Sequence, residues 1–166
     1  PNRDAVLYFS NEILPIIKKE IPQVEFHVIG ANPSDKIKKL ADGKNIIITG
    51  PVEDTRPYLS DAAAMVCPIR VATGMQNKIL EAMAMGLPVI STSIATQWMP
   101  KKEDYGIRVA DSPREFAEKV TEIMKNRELR NKLSFASRKA AEDNYDWGKN
   151  IRKLESIFME GLKSHA

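Results

Sequence analysis

The stretch that most constrains this chain runs from Val66 to Ser91, VCPIRVATGMQNKILEAMAMGLPVIS. A short apolar strand ends at Cys67, and a loop follows from Pro68 to Met75. A helix over about Gln76 to Met85 stops at Gly86, and Leu87-Pro88-Val89-Ile90 opens the next strand. Strand, loop, helix and strand make a βαβ unit, because parallel neighbours need a crossover connection. The loop lies at the carboxyl end of its strand and feeds a helix N-terminus. Free N–H groups and the helix dipole make such a place suited to an anion, phosphate included. Ile79, Leu80, Met83 and Ala84 form the apolar stripe of the helix, and Glu81 interrupts it. At helical spacing Glu81 shares a face with Asn77, Lys78 and the start of the loop near Gly74. A carboxylate there can accept two hydrogen bonds from a sugar diol. It can equally form a surface pair with Lys78, worth a few tenths of a kcal/mol. The residues alone leave both readings open. Arg70 and Lys78 are the local cations, and each could meet phosphate or stay in solvent.

The rest of the chain repeats the alternation. Val6, Phe9, Ile13, Ile16 and Ile17 recur at helical spacing, with Pro15 placed to kink or interrupt that helix. Strands are predicted over Val24–Ile29, Asn45–Thr49, Ala62–Cys67 and Gly106–Ala110, each close to a Gly or Pro. Short helices are expected after Ser34, to about Ala41, and after Thr55, through Leu59. Ser91 to Pro100 reads as a loop or broken helix that exposes the apolar bulk of Gln97-Trp98-Met99. Asp111-Ser112-Pro113 is the start signal of a helix with Phe116, Val120, Ile123 and Met124 inside. A second helix over Arg127–Asp143 and a terminal one from Trp147 complete the chain. The fold class is α/β, a Rossmann-like doubly wound parallel sheet flanked by helices, as one domain over 1–166. Ligands of such sheets bind outside the carboxyl ends of the strands. Three loops lie there: Gly30-Ala31-Asn32, Gly50-Pro51-Val52 and Arg70 to Met75.

Composition excludes several classes. The 166 residues are 43% hydrophobic and 28% charged, ordinary for a soluble domain. No apolar run reaches the length of a membrane span, and the start, PNRDAV, has neither part of a signal peptide. A net charge of +3 suits a diphosphate ligand or an anionic membrane surface and does not by itself argue for nucleic acid. The single cysteine, Cys67, rules out an intrachain disulfide and points to a reducing compartment. It is expected as a buried small hydrophobe. His27 and His165 have no metal-ligand spacing, so no metal site and no cofactor are expected.

LEAMAMGLPVIST resembles the signature of the group 1, or family 4, retaining glycosyltransferases of the two-domain GT-B fold. PNRDAVLYFSNEILP, VIGANP, ITGPVEDTRPYLSDA and PIRVATGMQNKILEAMAMG are similar to a subgroup linked to polysaccharide biosynthesis. The resemblance implies a C-terminal domain that binds a nucleotide-sugar donor of UDP or GDP type. It implies that Glu81 binds the ribose hydroxyls and that Thr73, Gly74 and Met75 lie against the diphosphate. It also implies that Gly50, Val52 and Asp54 surround the base, although a plain strand-to-helix turn with Asp54 as cap fits that loop equally well. The family commonly has a first glutamate eight positions before the second; here Thr73 stands in that place. Thr73 offers one uncharged hydrogen-bonding group to the donor sugar.

The family's first strand, and the N-terminal domain that supplies the acceptor site, are expected in a longer protein. That strand would be central, between the Val24 and Ala62 strands, which then face a gap, pair directly or receive a strand from outside. Chemistry in the cleft between two domains implies that this chain alone binds nucleotide and transfers no sugar. The expected reaction rests on positioning and on stabilising the leaving diphosphate, with no general base in this half. In this fold the terminal helix crosses toward the other domain, leaving its apolar face only partly covered here, although Trp147 and Ile151 are expected to pack on this domain. The enzyme is expected in the cytoplasm, with peripheral association at the inner membrane face. A GT-B nucleotide-sugar epimerase would need acid and base groups near the sugar, which Thr73 does not supply. A receiver-like binding module would need acidic residues at the first strand end, and Gly30-Ala31-Asn32 has none.

Overall fold

The computed structural model describes residues 1–71, 74–100 and 102–163. The chain begins with α1 (Asn2–Tyr8), a π-helical turn (Phe9–Ile13) and α2 (Leu14–Glu20). Then come β1 (Phe26–Ile29), α3 (Asp35–Lys38), β2 (Ile46–Gly50), α4 (Arg56–Asp61) and β3 (Met65–Cys67). The second half runs α5 (Asn77–Ala84), β4 (Val89–Ser91), β5 (Ile107–Val109), α6 (Pro113–Lys125), α7 (Arg127–Asn144) and α8 (Trp147–Lys163). No described helix is long and apolar enough to cross a membrane.

Pro15 acts where the sequence places it. It has no N–H to donate to the Asn11 carbonyl, and its ring crowds that group. The helix widens into the π turn just before it, and Pro15 then sits in the first turn of α2, where no donor is needed. Several elements are shorter than expected. Val24 stays out of the ladder because the Asn45 side-chain amide donates to the Val24 carbonyl (2.7 Å) and to that of Pro22 (3.1 Å). Ala62 is still the cap of α4, its N–H on the Leu59 carbonyl. After Lys38 the chain continues as single turns that reach Ala41.

All described ladders are parallel, and they form two sheets: β1-β2 and β3-β4-β5. Among the described residues no ladder joins β1 to β3, so of the three expected outcomes direct pairing does not occur. Side chains join the halves instead. Phe26 and Ile46 of the first sheet and Val66 and Ile90 of the second pack into one core with Phe9, Ile13, Ile17 and Phe116. A second core beneath α5 gathers Cys67, Ile69, Ile79, Met83, Val89 and Ile107. Cys67 is buried there, and burial pushes its thiol above its ordinary range.

Two further expectations are corrected. Trp98 and Met99 do not present apolar bulk to solvent: Met99 is buried, and half-buried Trp98 donates to the Ala95 carbonyl and stacks edge-on to Tyr145. Trp147 and Ile151 do not pack on this domain. Trp147 is 81% exposed, and Ile151, Leu154 and Phe158 are exposed with it along α8. Near its start Lys149 reaches the Glu142 carbonyl and Asn150 that of Asn144, and Leu154, Ile157, Phe158 and Met159 after them are exposed.

Gly106 fixes how α7 meets β5. At φ +71° it occupies the left-handed region, and a Cβ would stand 2.3 Å from the Leu133 carbonyl oxygen and 2.9 Å from the Ser137 nitrogen. Gly106→Ala is expected to lower stability by roughly 2–4 kcal/mol in urea unfolding, backbone strain and overpacking together. Gly43→Ala, at φ +65° with nothing within 4 Å, should lose only the conformational part, about 1–2 kcal/mol.

Asp42 organises the entry to β2. Its Oδ1 accepts the N–H groups of Ile46 (2.8 Å), Lys44 (2.9 Å) and Asn45 (2.7 Å). These bonds, Ile46 first, hold its carboxyl at about 2, below its ordinary 3.8. A depressed folded-state value stabilises the fold above the ordinary value, and that contribution is lost as pH falls through the folded one. Asp42→Ala should therefore lower Tm at pH 7, and the difference from the parent protein should shrink between pH 4 and pH 2.

Candidate functional site

Thr92 and Ile69 position the loop after β3. The Thr92 hydroxyl donates to the Ile69 carbonyl, the Thr92 N–H donates to that of Cys67, and Ile69 itself is buried. The loop therefore leaves the sheet from a fixed base, and Arg70 is the first side chain to emerge. Ala72 and Thr73 lie outside the described residues, so the place predicted for Thr73 against the diphosphate and donor sugar is not described. Gly74 takes φ +73°, which favours glycine, and Met75 is exposed beside it.

α5 starts without a side-chain cap. Gln76 occupies the cap position, but its amide points back to the Gly74 carbonyl (3.4 Å). The Asn77 and Lys78 amides thus open the helix with no described acceptor, the arrangement that favours an anion. The other end is locked. Gly86, at φ +72°, closes the helix through the bonds of the Gly86 N–H to Met83 and the Leu87 N–H to Ala82. From α7, Arg138 donates to the Ala84 carbonyl and Ser134 to that of Gly86. Of the predicted stripe Ile79 and Met83 are buried, Leu80 is half-buried and Ala84 is exposed, and Ala82 is buried in its stead; this turns Asn77 and Glu81 outward.

Glu81 lies one helical turn beyond Asn77 and Lys78, exposed, and its carboxylate has no hydrogen bond or ion pair among the described residues. The surface pair with Lys78 does not form. Lys78 Nζ instead donates to Asn2 Oδ1 at 2.5 Å, on the first turn of α1. Arg70 is engaged by the same turn: its Nε and Nη2 donate to Asp4 Oδ2 (3.0 Å) and Oδ1 (2.5 Å), and its guanidinium lies 4.4 Å from the Tyr8 ring centroid. The hydrogen bonds from Arg70 hold the Asp4 carboxyl below the usual carboxylate range. The structure thus brings Arg70, Gly74, Met75, Asn77, Lys78 and Glu81 to one end of the β3–α5 unit. Asn2, Asp4, Tyr8 and Thr92, which share in building that end, carry no local sequence signal; Asp4 and Arg70 are 66 positions apart.

The 50–54 loop is built differently. Gly50 ends β2 at φ +71° and Val52 is half-buried. Asp54 accepts from the Arg56 N–H (2.9 Å) and Nε (3.0 Å) at the start of α4, whose cap position is taken by Thr55. No hydrogen bond or ion pair among the described residues links this loop to the α5 site. Depressions of about 190 and 270 Å³ lie elsewhere, under α4 and α7 and beside Pro15. At the α5 site Arg70, Gly74, Met75, Asn77 and Glu81 are exposed. Among the described residues no three of His, Cys, Asp and Glu come together as metal ligands.

A family model, glycosyl transferases group 1, matches residues 1–126. The chain belongs to that family. An uncharacterised 44.6 kDa protein in the cps region of Klebsiella pneumoniae is 25% identical over 96% of this chain and 42% of its own length. An uncharacterised glycosyltransferase of Methanosarcina acetivorans is 28% identical over 84% of the chain and 39% of its own length. The chain therefore spans about two-fifths of these relatives. Among solved structures, S. aureus TarM in complex with fondaparinux, alpha-GlcNAc-glycerol and UDP superposes with a TM-score of 0.77 at 21% identity, over 95% of this chain and 33% of that one. Anabaena HepE in complex with UDP gives 0.67 at 14% identity, over 92% and 45%. The likeness establishes the fold as Rossmann-like, of the kind that GT-B glycosyltransferases share.

Since Glu81 has no described partner in the folded chain, Glu81→Gln is expected to leave stability within about 0.5 kcal/mol of the parent in urea unfolding. A change of binding in that variant is then a change at the site.

Proposed function

We propose that this chain is the donor-binding domain of a retaining glycosyltransferase, which moves a sugar from a nucleotide-diphosphate sugar to an acceptor hydroxyl. The observation that carries the reading is Glu81: an exposed carboxylate without a described partner, one turn into a helix whose first amides are uncapped. Phosphate needs the amides and cations, a ribose diol needs a carboxylate, and the spacing of one helical turn serves both on one ligand. Asn77, Lys78, Gly74, Met75 and Arg70 take the diphosphate in this reading, with Thr73 at the donor sugar. Gly50, Val52 and Asp54 surround the base in this reading. The donor is of UDP or GDP type, and the chemistry is positioning and stabilisation of the leaving diphosphate. Presence of UDP in the TarM and HepE structures supports the donor class. The cps region of the Klebsiella relative supports a place in polysaccharide or glycoconjugate synthesis. The facing domain and the acceptor site belong to the rest of a longer enzyme, cytoplasmic and peripheral at the inner membrane face, and the chain alone transfers no sugar.

Calorimetric titration with UDP and GDP tests the assignment. Hydrogen bonds to a charged acceptor contribute roughly 1.5–3 kcal/mol each. Glu81→Gln, whose amide nitrogen cannot accept, should weaken the preferred nucleotide about tenfold or more. The 2′,3′-dideoxy nucleotide should lose affinity on the parent protein and little further on the variant. Equal affinity of parent and variant, or an equal loss for the analogue on both, removes Glu81 from the ribose.

A further inference from the structure

The guanidinium of Arg70 is held on two sides. One edge, Nε and Nη2, donates to both oxygens of Asp4, and one face lies against the Tyr8 ring. Tyr8 is itself buried, with its hydroxyl 3.5 Å from the Asp111 carbonyl oxygen, so the ring is a fixed surface. A guanidinium has five N–H donors in a rigid fork. Two are used by Asp4, and the Nη1–Nη2 edge on the other side has no described partner. An exposed ion pair of this kind adds little to stability. Its effect is to stop a long side chain from sampling other rotamers and to leave a two-pronged donor edge open. The first turn of α1 holds Lys78 through Asn2 in the same way, so both cations of the site are anchored to one element.

We propose that Asp4 and Tyr8 are positioning residues that pre-set Arg70 for a two-pronged contact between its free edge and the donor's diphosphate, an inference that rests on the reading of the α5 site as a nucleotide-diphosphate site. Two effects of Asp4 oppose each other. Its charge repels an anionic ligand, while its geometry spares the ligand the ordering of Arg70. Arg70 keeps Asp4 ionised and lies directly against it, so most of the repulsion is cancelled at the source. Orientation then dominates, and removing Asp4 weakens binding.

The test is titration of UDP, GDP and the bare nucleosides uridine and guanosine into the parent protein and its variants. Asp4→Asn should weaken the diphosphates about three- to tenfold, the ordering of one long side chain, and leave the nucleosides unchanged. Asp4→Asn added to Arg70→Gln should give no further weakening, because without Arg70 only the repulsion of Asp4 is left to remove. Tyr8→Phe keeps the ring and should bind as the parent does, and Tyr8→Leu, checked for its fold by circular dichroism, should weaken the diphosphates only. The proposal is overturned if Asp4→Asn binds the diphosphates as tightly or more tightly, if it weakens nucleosides equally, or if its weakening persists without Arg70. A parent protein that binds neither nucleotide overturns the donor reading and this proposal together. A parent that binds, with Glu81→Gln weakened and Asp4→Asn unchanged, overturns this proposal alone.

Discussion

Apolar packing around Phe9 joins two ladders that share no described backbone hydrogen bond. Its ring lies 4.3 Å from Phe26 on β1 and 6.1 Å, edge-on, from Phe116 on α6, and the same core takes in Val66 and Ile90 of the other sheet. Deleting a buried ring of this size costs about 3–5 kcal/mol, a large share of the 5–15 kcal/mol by which a domain is stable. In a continuous sheet, hydrogen bonds fix the relative height and twist of the strands. Here the helix that carries Phe9 has that task between β1 and β3. The same helix begins with Asn2 and Asp4, which grip Lys78 and Arg70. The element that holds the sheets in place therefore also sets the cations of the site.

What could be read from the sequence was what depends on neighbours in sequence. Ser112 accepts the Glu115 N–H at 3.2 Å, as a serine before a proline at a helix start should. Gly86 closes α5 where the apolar stripe ends. Glu81 stood out because it broke that stripe, and the fold does turn it outward. Pro15 announced a disturbance, though not that it would take the form of a π turn. Family membership was legible from one run of residues, LEAMAMGLPV with its upstream partners.

Contacts between distant positions were not legible. Whether Lys78 would meet Glu81 three positions on or Asn2 at the far end of the chain depends on where α1 lands, and helical spacing is silent on that. Trp98 and Met99 looked like exposed bulk because the loop around them has no periodicity; Tyr145, from the end of α7, supplies the ring that Trp98 stacks on. The opposite error occurred at α8. Its apolar stripe was read correctly, but the pattern does not say which surface a stripe faces, and Trp147 and Ile151 face none among the described residues. Asp54 is ambiguous for a related reason: a carboxylate two residues before a helix can serve the helix start and a ligand alike, and it accepts from the Arg56 amide while Thr55 takes the cap position.

The π turn between α1 and α2 also governs how this segment can change in length. Such a turn accommodates one residue more than a regular helical path over the same distance. Deleting exposed Asn11 from the π turn would let the helix become regular with its two ends still in phase, whereas a deletion inside α2 would swing one end by about 100° against the other. In the first case Leu14 and Ile17 stay in the core and Tyr8 and Asp4 stay at the guanidinium they hold. Chain length is thus a looser constraint inside the π turn than in the regular turns beside it. A sequence one residue shorter there could fold and keep the geometry around Arg70.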